Sequence, residues 1–246
     1  VNANVQAISK LYEASVTEKI SLVIFPELCI TGYSLGDTVR QRSLLQAARN
    51  ALLKLAESTA DKDTAMIVGL PYEHNNRLYN CAAVLADGEI KGLVTKSYLP
   101  NYCEFYEQRW YQQFHGTATT KLQQHIIAFG NNILFDIDGV LFGVEICEDM
   151  WVPNQPSRSL TEAGALIIAN LSASPELVGK SDYRKELVSM TSAVERCAYI
   201  YCGADWTEST TDIVMSGHAL IAENGSILAE RMPFSKDKHL LVADID

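Results

Sequence analysis

The chain has little basic character. Its 246 residues carry 20 lysines and arginines against 30 aspartates and glutamates, a formal net charge of −10. Nucleic acid and anionic membrane surfaces select basic patches, so this balance argues against both as partners. No apolar run approaches the ~18 residues that a transmembrane helix needs. The opening residues lack a basic segment followed by an apolar stretch, so no export signal is visible. No CxxC pair occurs. The six cysteines (29, 81, 103, 147, 197 and 202) are scattered, a spacing that fits neither a zinc site nor a disulfide framework. A reducing cytoplasm is the simplest location, and no metal is expected. No low-complexity linker divides the sequence, so one domain is expected over residues 1–246.

Apolar residues make up 48% of the chain, enough for a substantial core. Residues 2–19 place Val5, Ile8, Leu11 and Val16 at helical spacing, and residues 38–59 do the same with Leu45, Ala48, Leu52 and Leu55. The run "ISLVIF" (20–25), stopped by Pro26, and "AMIVGLP" (65–71) predict buried strands. Asp87-Gly88, Asp138-Gly139 and Asn224-Gly225 each lie between apolar strand patterns. These pairs tolerate the positive φ of two-residue hairpin turns. A short helix near 158–164, a strand at 165–171, a helix over 182–197 and a strand at 199–204 complete the pattern. Hairpins mixed with crossover helices exclude a simple parallel doubly wound sheet. Two mixed sheets packed face to face with helices outside satisfy the pattern.

The stretch "VEICEDMW" (144–151) poses a chemical problem. Cys147 lies among Glu145, Glu148 and Asp149, and neighbouring negative charge raises a thiol pKa and suppresses the nucleophilic thiolate. Either Cys147 is inert core, or distant parts of the chain supply its partners. Three apolar strands end in groups that could meet: "SLVIFPE" in Glu27, "IKGLVTK" in Lys96 and "VLFGVEIC" in Cys147. Rigid strand ends are good platforms for a base, a cation and a nucleophile. Taken singly, each has an ordinary structural role: a solvated glutamate, an edge lysine and a core cysteine.

The words around these residues occur in a telling order: "FPELCITGY", "TKSYLPNYCEFYEQRW" and "GVEICEDMW". Together they closely resemble the nitrilase, or carbon–nitrogen hydrolase, superfamily over nearly the whole chain. The resemblance implies an α/β fold, an α-β-β-α sandwich, and a catalytic Glu-Lys-Cys triad at Glu27, Lys96 and Cys147. In that scheme Glu27 takes the thiol proton and later activates water. Lys96 supplies the missing positive charge and stabilises the oxyanion, aided by the backbone N–H of Glu148. Glu104 matches a second glutamate beside the triad, which would orient Lys96; a simple helix-start carboxylate is the competing role.

Within the superfamily, "YLPNYCEFYEQRW" and "NLSASPELVGKSDYR" look like the glutaminase domain of glutamine-dependent NAD synthetases. That likeness implies glutamine as substrate, with Tyr102, Phe105, Ser174 and Lys180 as contacts and Tyr33 as a further wall. Ser174 and Lys180 would serve the α-carboxylate. The resemblance also implies a homo-oligomer, and a C-terminal synthetase domain using ATP, Mg and deamido-NAD. No SGGxDS-like loop for pyrophosphate occurs in this sequence. The chain starts without methionine and lacks the strand that the family places before the first helix, so a trimmed domain is expected. "CGADWTEST" (202–210) departs from the glycine-rich segment of many synthetases. Two alternatives stay open: a free-standing amidase or nitrilase acting on another small amide or nitrile, and a non-catalytic module.

Overall fold

The apolar run at 65–71 is buried on both faces because it separates two cores. In the computed structural model, which describes residues 1–236 and 239–246, it lies in strand β2 (Ala65–His74). Met66, Val68 and Leu70 point to one side, with Cys81, Ala83 and Leu85 of β3 (Arg77–Ala86). They meet Ile8 and Tyr12 of helix α1 (Asn2–Thr17) and Ala48, Leu52 and Leu55 of α2 (Arg42–Glu57). Ile67, Ala82 and Val84 point the other way, into a core between two sheets. The strand period of two thus assigns alternate residues to different layers.

The first sheet adds β1 (Leu22–Ile24), β4 (Glu89–Thr95), β5 (Thr117–Leu122) and β6 (His125–Gly130), in the order β1-β2-β3-β4-β6-β5. The second contains β7 (Leu134–Ile137), β8 (Val140–Ile146), β9 (Ile167–Ser172), β10 (Ala198–Gly203), β11 (Ala219–Glu223) and β12 (Ser226–Arg231), ordered β12-β11-β10-β9-β8-β7. Both are mixed: β1 is parallel to β2 and β4 to β6, while β8, β9 and β10 run parallel between antiparallel hairpins. Phe142, Val144, Ile146, Ala169 and Leu171 complete the core between the sheets. Leu160 of α3 (Pro156–Glu162) and Val188 of α4 (Lys180–Glu195) pack with Ile168, Tyr199 and Leu220 on the outer face of the second sheet. This is the expected α-β-β-α sandwich. Among the described residues no helix is long and apolar enough to cross a membrane.

Three differences from the sequence reading are local. The helix expected over 38–59 is broken into a 3-10 turn, Gly36–Arg40, and α2, because Gln41 between them is extended with ψ 125°. Helix α4 begins at Lys180 rather than 182, entered through the left-handed Gly179. The hairpin β5–β6 was not predicted; it turns at Gln123-Gln124, with Gln123 at φ 53°, and this pair carries no glycine or asparagine signal.

Sheet topology then sets the site. β1 is parallel to β2, and β4 lies two antiparallel steps from β2, so β1 and β4 leave their sheet at the same end. β8 and β9 leave the facing sheet together. The residues just past these four strands converge.

Candidate active site

Glu27 follows the short strand β1, and a tight backbone path aims it inward. Phe25 still pairs with Ile67 (N–H to O, 2.9 Å), Pro26 ends the ladder, and Leu28 takes a left-handed φ of 53°. The chain at 26–28 crosses directly over Gly69 of β2. A Cβ on Gly69 would lie 2.2 Å from the Leu28 nitrogen and 2.8 Å from the Glu27 carbonyl carbon. Only glycine allows this crossing.

Lys96 comes straight off β4, its N–H donating to the Asn80 carbonyl at 2.9 Å. Its Nζ donates to Glu27 Oε1 at 2.8 Å and to Glu107 Oε1 at 2.7 Å. Glu27 Oε1 also accepts from Asn80 Nδ2 at 2.6 Å, and its Oε2 accepts from the Ala173 N–H at 2.8 Å. Tyr33 donates its hydroxyl to Glu107 Oε1 at 2.8 Å. Glu27, Lys96, Glu107 and Cys147 are all at most 3% exposed.

Cys147 terminates β8 in a left-handed turn. Ile146 is extended at φ −128°, Cys147 has φ 48°, and the chain passes into a one-turn 3-10 helix, Cys147–Met150. A non-glycine residue in that region is strained and is held by its surroundings. Burial pushes the thiol pKa up, Glu27 adds to this, and Lys96 and the Ala173 N–H pull it down; the net direction is upward. Burial therefore favours the protonated thiol over the thiolate, with Glu27 acting in the same direction. Burial opposes the charge on Lys96, but Glu107 and Glu27 outweigh it and hold its pKa well above the usual lysine value. Burial raises Glu107 against the pull of Lys96. The cluster is one cation between two carboxylates.

The three carboxylates flanking Cys147 each have business elsewhere. Glu145 accepts from the Tyr199 hydroxyl, from Asn170 at 3.3 Å and from the Ser157 N–H at 3.0 Å. Glu148 accepts from the Tyr102 hydroxyl at 3.0 and 3.1 Å. Asp149 accepts from the backbone N–H groups of Ser97, Tyr98 and Ile146 at 2.9–3.3 Å. Asp149 thereby ties the residues just after Lys96 to the residue just before Cys147.

Glu104 does not take the place expected for it. The carboxylate against Lys96 is Glu107, and Glu104 is a half-buried residue with no bond to Lys96. The loop turns at Cys103 (φ 49°), and the 3-10 turn Glu107–Arg109 then folds position 107 inward. At the mouth, the rings of Tyr102 and Phe105 meet edge to face with centroids 5.6 Å apart. Ser174 is buried, and Lys180 places Nζ 5.2 Å from the Trp151 ring centroid. Lys180 forms no ion pair among the described residues, and its charge is felt by both Cys147 and Glu148. The Glu148 N–H opens the 3-10 turn, where the first N–H groups have no partner within the turn.

Sequence reasoning missed Glu107, Asn80, Asp149, Trp151 and the Ala173 N–H. Asn80 alone had a legible signal: a polar residue inside the apolar strand "YNCAAVLA" must find a buried partner. No group of three or more His, Cys, Asp or Glu among the described residues is placed to hold a metal. A separate polar cleft of about 330 Å³, bordered by Tyr98, His115, Asn131 and Arg158, contains none of Glu27, Lys96 and Cys147.

Comparison with known proteins defines the class. The carbon–nitrogen hydrolase model matches residues 1–246, and the chain belongs to that family of enzymes. It is 42% identical over 248 residues to a glutamine-dependent NAD(+) synthetase of Mycobacterium tuberculosis, and 33% over 227 residues to one of Thermotoga maritima. These alignments take in 99% and 92% of this chain but 36% of each relative's length. A solved glutamine-dependent NAD(+) synthetase from Cytophaga hutchinsonii superposes with a TM-score of 0.87 at 28% identity, over 97% of this chain and 39% of that one. An amidase from Nesterenkonia sp. AN1 shares the fold, with a TM-score of 0.80 at 17% identity over 100% and 87% of the two chains.

Proposed function

We propose that the chain hydrolyses the side-chain amide of glutamine, supplying ammonia for glutamine-dependent NAD synthesis. The supporting observation is the buried group Glu27, Lys96 and Cys147 in a chain 42% identical to a protein named for that synthesis. Glutamine enters with its amide toward Cys147. Its α-carboxylate lies by Ser174 and Lys180, and its aliphatic stem lies against Tyr102 and Phe105. Lys180, which forms no ion pair among the described residues, is the cation assigned to that anionic group.

The thiol is protonated at rest, so attack on the amide carbon requires a base in contact. Glu27 takes the sulfur proton as the carbon–sulfur bond forms. The carbonyl oxygen becomes an oxyanion, stabilised by Lys96 and the Glu148 N–H. Glu27 returns the proton to the amide nitrogen, the carbon–nitrogen bond breaks, and ammonia leaves a thioester on Cys147. Water then attacks the thioester carbon, Glu27 accepting its proton, and glutamate and the free thiol are released. The ammonia passes to a synthetase domain that uses ATP, Mg and deamido-NAD.

Release of glutamate and ammonia from glutamine, with asparagine as control, tests the reading. Glutamine should be turned over and asparagine poorly, because its amide falls one methylene short of the sulfur. Cys147→Ala should abolish turnover with little change in Tm. Equal use of asparagine would make the chain a general amidase, and full activity in Cys147→Ala would remove the triad.

A further inference from the structure

Arg184 takes no part in these steps, yet it is fully buried directly behind the substrate loop. From the second turn of α4 its Nη1 donates to Glu176 Oε2 at 3.0 Å and to His218 Nδ1 at 2.8 Å. Nη2 lies 3.5 Å from the Pro175 carbonyl, and the guanidinium carbon is 5.4 Å from the Tyr201 ring centroid. The Tyr201 phenol in turn lies beside the Ser172 and Ser174 hydroxyls. Glu176 also accepts from Ser216 Oγ at 2.7 Å, and its N–H donates to the Val214 carbonyl at 2.7 Å. Pro175 and Glu176 belong to the stretch 172–176, and Tyr201 reaches it through Ser172 and Ser174; the same stretch carries the Ala173 N–H to Glu27 and the Ser174 side chain. Arg184 Nε is buried with no partner among the described residues. A guanidinium held at that cost calls for a functional reason.

We propose that Arg184 is a positioning residue for the substrate: it anchors the 173–180 loop from the core side, and neutral His218 keeps that anchor in place. This rests on the glutaminase reading only for the choice of substrate. Arginine can only donate, so His218 Nδ1 must accept and the imidazole proton sits on Nε2, facing Glu230 Oε1 at 3.2 Å. The groups around His218 are Arg184 and Lys185 on α4, Glu176 and Ser216 in the flanking loops, Tyr201 on β10 and Glu230 on β12. The nearby Glu230 favours the charged ring. Burial and then Arg184 oppose it, and the pKa lies below the ordinary imidazole value. Protonation would turn an N–H from Nδ1 against the Arg184 N–H and release the anchor.

The test combines steady-state kinetics on glutamine between about pH 5 and pH 8 with hydrogen exchange of the 173–180 amides. Arg184→Met should raise KM for glutamine by roughly tenfold to a hundredfold, the scale of lost charged hydrogen bonds, with a smaller change in kcat. Its loop amides should lose protection while those of β9 keep theirs. Arg184→Lys should recover part of the loss. Wild-type KM should climb as pH falls through the lowered pKa of His218, which places the climb below the ordinary imidazole value of about 6.5. His218→Gln, whose amide oxygen can still accept from Arg184, should flatten that climb. Unchanged loop exchange, kcat and KM falling in proportion to Tm, or an acid climb retained in His218→Gln would overturn the proposal. If Arg184→Met does not fold, Arg184→Lys and His218→Gln carry the test. A wild type inactive on glutamine would defeat the glutaminase reading, and loop exchange would then decide the anchor alone.

Discussion

Lys96 holds its proton because two carboxylates share it, and the two have separate tasks. Glu27 is bonded to the Ala173 N–H and Asn80 as well, and is the base for the sulfur in the proposed mechanism; Glu107 is bonded to Lys96 and, on its other side, to Tyr33. Glu107→Gln should therefore lower kcat by roughly tenfold to a hundredfold, the scale of one charge-assisted hydrogen bond. Glu104→Gln, at a half-buried rim position, should stay within about threefold. Lys96→Met should lower kcat by about two to three orders of magnitude and move KM less. Steady-state kinetics on the three variants checks this; loss of activity in Glu104→Gln rather than Glu107→Gln would reverse the assignment. Which glutamate meets Lys96 was not legible, because both lie in a loop whose course depends on one left-handed residue, Cys103. The puzzle of Cys147 was soluble from sequence only in outline. Its carboxylate neighbours are drawn away by Tyr199, Tyr102 and backbone N–H groups that lie far along the chain.

The elements supply the angles at which those groups meet. Apolar runs made β1, β2 and β8 visible, and glycine-containing turns exposed three hairpins. β5 and β6 were missed because their turn is Gln123-Gln124 and β5, TATTKL, is mostly polar. Gly69 was equally silent: nothing in "AMIVGLP" says that another segment crosses it. Its replacement is a clean probe of the crossing, since the backbone there is ordinary strand and only the added methyl is at issue. Gly69→Ala should cost about 1–3 kcal/mol, the range of an overpacked core, and lower Tm. Because the clash is with the backbone of Glu27 and Leu28, kcat should fall by more than a Tm loss of that size explains. Calorimetry alongside glutamine turnover checks both; a Tm loss with intact kcat would show that β2 yields instead of the Glu27 segment.

Among the described residues, buried carboxylates outnumber buried cations: Glu27, Glu107, Glu145 and Asp149 against Lys96 and Arg184. Burial, with Glu145 close by, pushes Asp149 up to about 8 despite its backbone donors, and burial raises Glu195 to about 7. Burial raises Glu145 as well. These groups bind protons more tightly folded than unfolded, where carboxylates titrate near about 4, so their contribution to stability is full below that value. It is lost as pH climbs toward 8. His218, depressed when folded, has the opposite sign and removes stability as pH falls through its folded pKa. Tm should therefore be higher near pH 6 than near pH 8.5, and Glu195→Gln should flatten the alkaline decline. A Tm that rises steadily through that interval would show these carboxylates to be ionised without penalty.

The site's span along the chain has its own consequence. Glu27 is bonded to Lys96 across 69 positions and to Ala173 across 146. Loops of that length must close before any such contact can form, and long-range closure is the slow part of folding. Neither sheet alone holds a nucleophile beside its base. A chain that has completed only its first six strands holds Glu27 and Lys96 but not Cys147, whose strand β8 belongs to the second sheet. The group of Glu27, Lys96 and Cys147 is thus complete only once the second sheet has docked on the first.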